Sequence, residues 1–158
     1  MLGLRRFRQV QIDIWQGQAS QFAADCLVAF EVGASSKIKL EKSDPSTAYT
    51  MLVRVPLQPE ASADTSSLET TFYQIFQEVE RTGLRHLVIH GPPGNSQKFE
   101  VSKCLAKAGF RSLHHWIEAE RPNQLGRVTF VADSANGYHI LQEHLFAEYA
   151  DELDDQGF

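Results

Sequence analysis

A histidine that closes an apolar run and opens onto a Gly-Pro-Pro-Gly turn is the arrangement in this chain best suited to chemistry. In residues 84 to 96, LRHLVIHGPPGNS, Leu87, Val88 and Ile89 lead into His90; the chain then breaks at Gly91-Pro92-Pro93-Gly94 and restarts on Asn95-Ser96. An imidazole titrates near neutral pH, so His90 could serve as an acid or a base. A loop of small residues that runs into a helix offers unpaired backbone N–H groups to an anion. Two prolines remove two of those donors. The plainer reading of the same residues is a rigid strand-to-helix connection, with Asn95 or Ser96 as the N-cap and His90 as a core or cleft-wall residue bonded to backbone.

Other reactive side chains are less well arranged. His114 and His115, read as neighbours on a strand, point to opposite faces and make poor joint metal ligands. His139 and His144 miss the four-residue spacing that places two ligands on one helix face. Ser20, Ser96 and Ser134 suit helix caps better than nucleophiles, and the chain contains no paired carboxylates, nucleophile elbow or Walker loop. Asp25 could orient a ligand or hold the short turn before its strand. Cys26 and Cys104 both sit in apolar patterns, which fits two buried thiols rather than a disulfide. No catalytic residue, metal site or cofactor is assigned.

The elements that must position these residues follow from periodicity. Val10, Ile12 and Ile14 alternate with Gln11, Asp13 and Trp15 as a half-buried strand does. Ser20 could cap a single helical turn ahead of the continuous strand Cys26 to Phe30. Residues 37 to 56 fit a hairpin whose lysine-rich first strand protects a sheet edge. A capping box at Ser66-Ser67-Leu68-Glu69 opens a helix carrying Leu68, Phe72, Ile75, Phe76 and Val79 on one face, and Gly83 stops it. After the strand ending at His90, a helix with Val101, Cys104, Leu105 and Ala108 on one face ends at Gly109. Leu113 to Ala119 and Arg127 to Val131 read as strands, and a helix from Ser134 to Tyr149 closes the pattern. The alternation of helix and strand from residue 66 requires a sheet with helices packed on it. The expected core is Ile12, Ile14, Leu27, Val28, Val53, Phe72, Ile75, Phe76, Val88, Ile89, Phe130 and Leu141.

With 158 residues, 42% of them hydrophobic, the chain has apolar material for one core, so residues 1 to 150 are read as a single domain and 151 to 158 as an acidic tail. A net charge of -5 argues against a phosphate-backbone surface, since non-specific nucleic-acid affinity needs clustered Lys and Arg. Arg5, Arg6 and Arg8 are too short a cluster to reverse that. No stretch has the length of a membrane span and the N-terminus lacks a signal-peptide pattern, so a cytoplasmic protein is expected.

Taken in order, these pieces resemble the macro domain, the ADP-ribose-binding module. Val10 to Ser20 resembles its opening strand and Gly-Asp-Ile-Thr turn, and Asp25-Cys26-Leu27-Val28 its Asp-Ala-Ile-Val strand. Leu84 to Ser96 is similar to its apolar strand and Pro-x-x-Gly-Thr-Gly phosphate loop, with Gly91, Gly94, Asn95 and Ser96 at matching places. Val128-Thr129-Phe130-Val131 and the last helix resemble its closing pair.

The resemblance implies a three-layer α/β/α fold with a mixed central sheet. It also implies ligand contacts at Gln18, Asp25, Glu31, His90, Gly91, Gly94, Asn95 and Ser96. Departures fall on functional positions. Gln18 replaces the adenine-recognising Asp, and Ala29-Phe30-Glu31-Val32 replaces Asn-Ala-Ala-Asn. The glycine-rich catalytic loop and helix give way to Gly33 to Ser36 and the hairpin. The expected function is therefore a non-catalytic binding module, with either a weak ADP-ribose or nucleotide ligand or a protein partner. A hydrolase acting on ADP-ribose or a related phosphoester, and an assembly or toxin-neutralising partner, are the alternatives.

Overall fold

The computed structural model of the chain describes residues 3–7, 10–17, 26–32, 39–42, 51–57, 65–90, 99–120, 122 and 124–149, with backbone alone for 3–7, 29–32, 39–42, 51–57, 65–67 and 99–104. Its elements in chain order are β1 (Gly3–Phe7), β2 (Val10–Gln16), β3 (Cys26–Val32), β4 (Lys39–Lys42), β5 (Met51–Leu57), α1 (Thr65–Arg81), β6 (His86–His90), α2 (Phe99–Glu120), β7 (Arg127–Ala132) and α3 (Ala135–Glu148). The strands form one seven-stranded sheet in the order β1-β2-β7-β6-β3-β5-β4. From β2 to β5 every neighbouring pair is parallel, while β1 and β4 close the two edges antiparallel. The hairpin read from residues 37 to 56 is the β4–β5 pair, and β4 is an edge strand as its lysines suggest.

Register divides the side chains between two faces. Ile12 and Ile14 pair with Val128 and Phe130, and Leu87, Ile89, Cys26 and Val28 continue that face. Asp13, Thr129, Val88 and Leu27 lie on the other. Members of both sets are buried, so the central strands are covered on both faces, as a three-layer α/β/α fold requires. This explains why β6 and β7 read as continuous apolar runs. α2 lies on the Phe130 face, where the Phe110 and Phe130 rings sit 4.3 Å apart. α1 and α3 each pack against α2. Of the expected core residues, Leu141 is partly buried against the core and the Val53 side chain lies outside the described residues. The others are buried.

α1 ends as its glycine predicts. Gly83 takes φ +77, its N–H donates to the Glu80 carbonyl at 3.0 Å and the Leu84 N–H to the Val79 carbonyl at 3.2 Å, which is the paired bonding of a Schellman cap. Four sequence expectations are corrected. Gly109 does not end a helix: α2 runs through it to Glu120, so Leu113 to Ala119 is helix and not strand. A Cβ on Gly109 would lie 3.0 Å from Phe130 Cε1 and 3.3 Å from Phe72 Cζ, so the glycine lets α2 approach both the sheet and α1. Ser66 to Glu69 do not form the N-terminal box, because α1 begins at Thr65 and Glu69 faces Arg111 across the helix pair at 3.4 Å. His114, read as lying on a strand, is on α2 and joins it to α3 through Nδ1 and Glu148 Oε2 at 2.9 Å. β1, not foreseen at all, pairs with the free edge of β2 from Val10 to Ile14.

Candidate functional site

Parallel strands share a direction, so β2, β7, β6 and β3 all end at one edge of the sheet, in adjacent places. Ligands of open α/β sheets lie outside that edge. β3 pairs with β5 through Phe30, Glu31 and Val32, and Gln16 stands beside Ala132; His90 lies opposite Val131 and Ala29. At that level register lines up Trp15, Val131, His90, Ala29 and Arg54 across the sheet.

His90 is half-buried and has no hydrogen-bond partner among the described residues. Its burial pushes the imidazole below the ordinary histidine pKa, against the opposing pull of the Asp133 carboxylate, so the neutral ring is favoured. Asp133 is exposed in the turn between β7 and α3. The turn is held by Ser134, whose Oγ accepts from the Gly137 N–H at 3.1 Å as the N-cap of α3. The Gly17 N–H donates to the Ala132 carbonyl at 2.9 Å, tying the ends of β2 and β7 together. On the first turns of α3, the Tyr138 hydroxyl is buried without a partner among the described residues.

Of the residues singled out in the sequence, His90 takes its expected place, and the backbone of Glu31 stands at the same edge, two residues beyond the level of His90. Gln18, Asp25, Gly91, Gly94, Asn95 and Ser96 lie outside the described residues. Sequence reading overlooked Asp133 and Tyr138. An acidic residue directly between a strand and an N-cap serine was the available signal for the first.

Two other polar regions are structural in character. At the amino end of the strands, Asp13 is fully buried; its Oδ2 accepts from Arg127 Nε at 2.8 Å and its Oδ1 from Gln11 Nε2 at 3.1 Å. Beside it, Thr129 Oγ1 lies 2.9 Å from His86 Nε2. A groove of about 590 Å³ runs between the C-terminal halves of α1 and α2, lined by residues including Glu78, Glu80, Glu120 and Trp116. Its carboxylates are already engaged: Glu78 with Arg81, Glu80 with the Gln124 and Leu125 N–H groups, and Glu120 with the Tyr73 hydroxyl and Gln77 amide. Among the described residues no three His, Cys, Asp or Glu side chains gather as a metal set, and no helix is long and apolar enough to cross a membrane.

The chain superposes on solved macro domains. A variant of the Oceanobacillus iheyensis macrodomain matches with a TM-score of 0.75 at 11% identity, covering 95% of this chain and 97% of that one. The macro domain of ganglioside induced differentiation associated protein 2 matches at 0.70 and 11% identity, over 87% and 83% of the two chains. A Trypanosoma brucei macrodomain solved in complex with ADP-ribose matches at 0.65 and 12% identity, over 84% and 68%. No family model matches the chain, and no curated protein matches it. The fold is that of the macro domains, at a sequence identity of 11 to 12% to these three structures.

Proposed function

We propose that the chain is a binding module whose carboxyl edge takes a nucleotide-type ligand of the ADP-ribose class weakly and without turning it over. The observation that supports this is the coincidence of fold and edge. A chain with the macro-domain fold, one of whose solved neighbours was captured with ADP-ribose, brings the ends of β2, β7, β6 and β3 together at one sheet edge, where open α/β sheets take their ligands. Gln18, Asp25, His90, Gly91, Gly94, Asn95 and Ser96 are the proposed contacts. Gln18 in place of a carboxylate can still donate and accept hydrogen bonds but carries no charge. Glu31, whose backbone stands at the same edge, would repel a diphosphate if its carboxylate faced the cleft.

The absence of turnover is proposed from chain length. Only residues 33–38 separate β3 from β4, too few for a glycine-rich loop followed by a helix of two turns, which alone takes about seven residues. The expected affinity is on the order of 4 kcal/mol, a millimolar dissociation constant. Titration calorimetry with ADP-ribose, alongside a thermal-shift screen with adenine nucleotides and simple anions, tests the reading, because a ligand specific for the folded state must raise the melting temperature. Low-micromolar binding lost on Gly94→Glu would mean that the cleft is rebuilt rather than reduced. Release of ADP-ribose from a modified protein, abolished by a substitution at the edge, would overturn the non-catalytic assignment.

A further inference from the structure

An anion approaching this edge meets an unusual balance of charge. Among the described residues that end β2, β7, β6 and β3, His90 is the one side chain that can become a cation; the others include Trp15, Gln16, Val131, Ala132 and Asp133. Arg54 stands at the same level but two strands away, about 10 Å at the usual strand spacing. We propose that ligand binding here is proton-coupled: His90 takes up a proton as a phosphate of the ligand arrives, so the site binds more tightly in mild acid than in mild alkali. This rests on the nucleotide-binding reading above and adds the residue that makes the site pH-dependent.

The physical steps are these. Without ligand, half-burial favours the neutral ring, and Asp133 opposes that only in part. A phosphate beside the ring adds a second negative charge to the same surroundings and favours the imidazolium. Binding therefore raises the affinity of His90 for a proton, and by linkage a proton raises its affinity for the phosphate by the same factor. Among the described residues Asp133, from the β7–α3 turn, is the charged group that acts on the ring; the backbones of Glu31, two residues beyond the facing Ala29, and of Arg54, further along that row, stand at the same edge. His139 on α3 is exposed and supplies the control.

ADP-ribose is the suitable probe, since its diphosphate diester does not titrate near neutral pH. Calorimetry of the intact chain in two buffers of different ionisation heat, near pH 6.5, should show net proton uptake on binding. The dissociation constant should rise with pH between about 5.5 and 8, by up to tenfold for each unit across which the ring changes state. His90→Gln should bind with little pH dependence and no proton uptake, and His139→Gln should behave as the unsubstituted chain does. ADP-ribose bound with constant affinity and no proton exchange would overturn the inference and leave the binding reading intact. ADP-ribose that fails to bind at any of these pH values would overturn both. The unsubstituted chain alone decides between these outcomes if His90→Gln does not fold.

Discussion

The two histidines of β6 lie on the same face of one strand, four residues apart, in unlike surroundings. His86, at the amino end, is bonded to the buried Thr129 hydroxyl, next to a fully buried Asp13 that Arg127 and Gln11 satisfy. His90, at the carboxyl end, has no such partner among the described residues, and the exposed Asp133 is its charged neighbour there. A buried charge is tolerated only when paired and bonded, and the amino end obeys that rule through mutual contacts. The carboxyl end leaves polar groups, the Tyr138 hydroxyl among them, without protein partners in the described set. The amino end holds the sheet together, and the carboxyl end is where the proposed ligand would meet it.

The layer that both ends share sets the energetic scale. Phe76 is fully buried, 5.6 Å from the Trp116 ring and 6.1 Å from Phe72, so Phe76→Ala should lower the unfolding free energy by about 3 to 5 kcal/mol in a urea titration. Arg127→Met tests the amino end directly. It strips a buried carboxylate of its cation, and about 3 kcal/mol should be lost; a cost near zero would show that Gln11 alone suffices and that the two ends are alike. Gly109→Ala should cost about 1 kcal/mol net. Crowding against Phe130 and Phe72 outweighs the gain in helix propensity, and a stabilised variant would mean that the rings yield.

His90→Gln should have the smallest effect on stability, within about 0.5 kcal/mol at neutral pH, while changing its pH dependence. Burial holds the folded His90 below its unfolded value of about 6.5, so between those two values the unfolded chain binds more protons. The stability this group contributes is whole above about pH 6.5 and is lost as pH falls toward the folded value. The urea midpoint of the unsubstituted chain should therefore drop more steeply on acidification than that of His90→Gln. Parallel curves would remove the distinction between the two histidines.

Local pattern determined a good deal of this protein. Alternation at Val10 to Trp15, the stop at Gly83, the apolar run into His90 and the cap at Ser134 each express a physical rule that acts over a few residues, and each element stands where its rule puts it, except that β2 is not half-buried: Asp13, on the face read as polar, is fully buried. The same run also identified His90 as a residue at a strand end. Tertiary structure decided the rest. Leu113 to Ala119 is apolar enough for a strand or a buried helix, and periodicity over so short a run does not separate them; packing on the sheet and α1 extends α2 through it. Gly109 reads as a terminator when only its backbone freedom is considered, yet its place is set by the missing Cβ that Phe130 and Phe72 need, residues distant in sequence. β1 exists because β2 presents a free edge to it. The row that sets His90 beside Val131 and Ala29 belongs to no single segment either: only the register between strands brings it together.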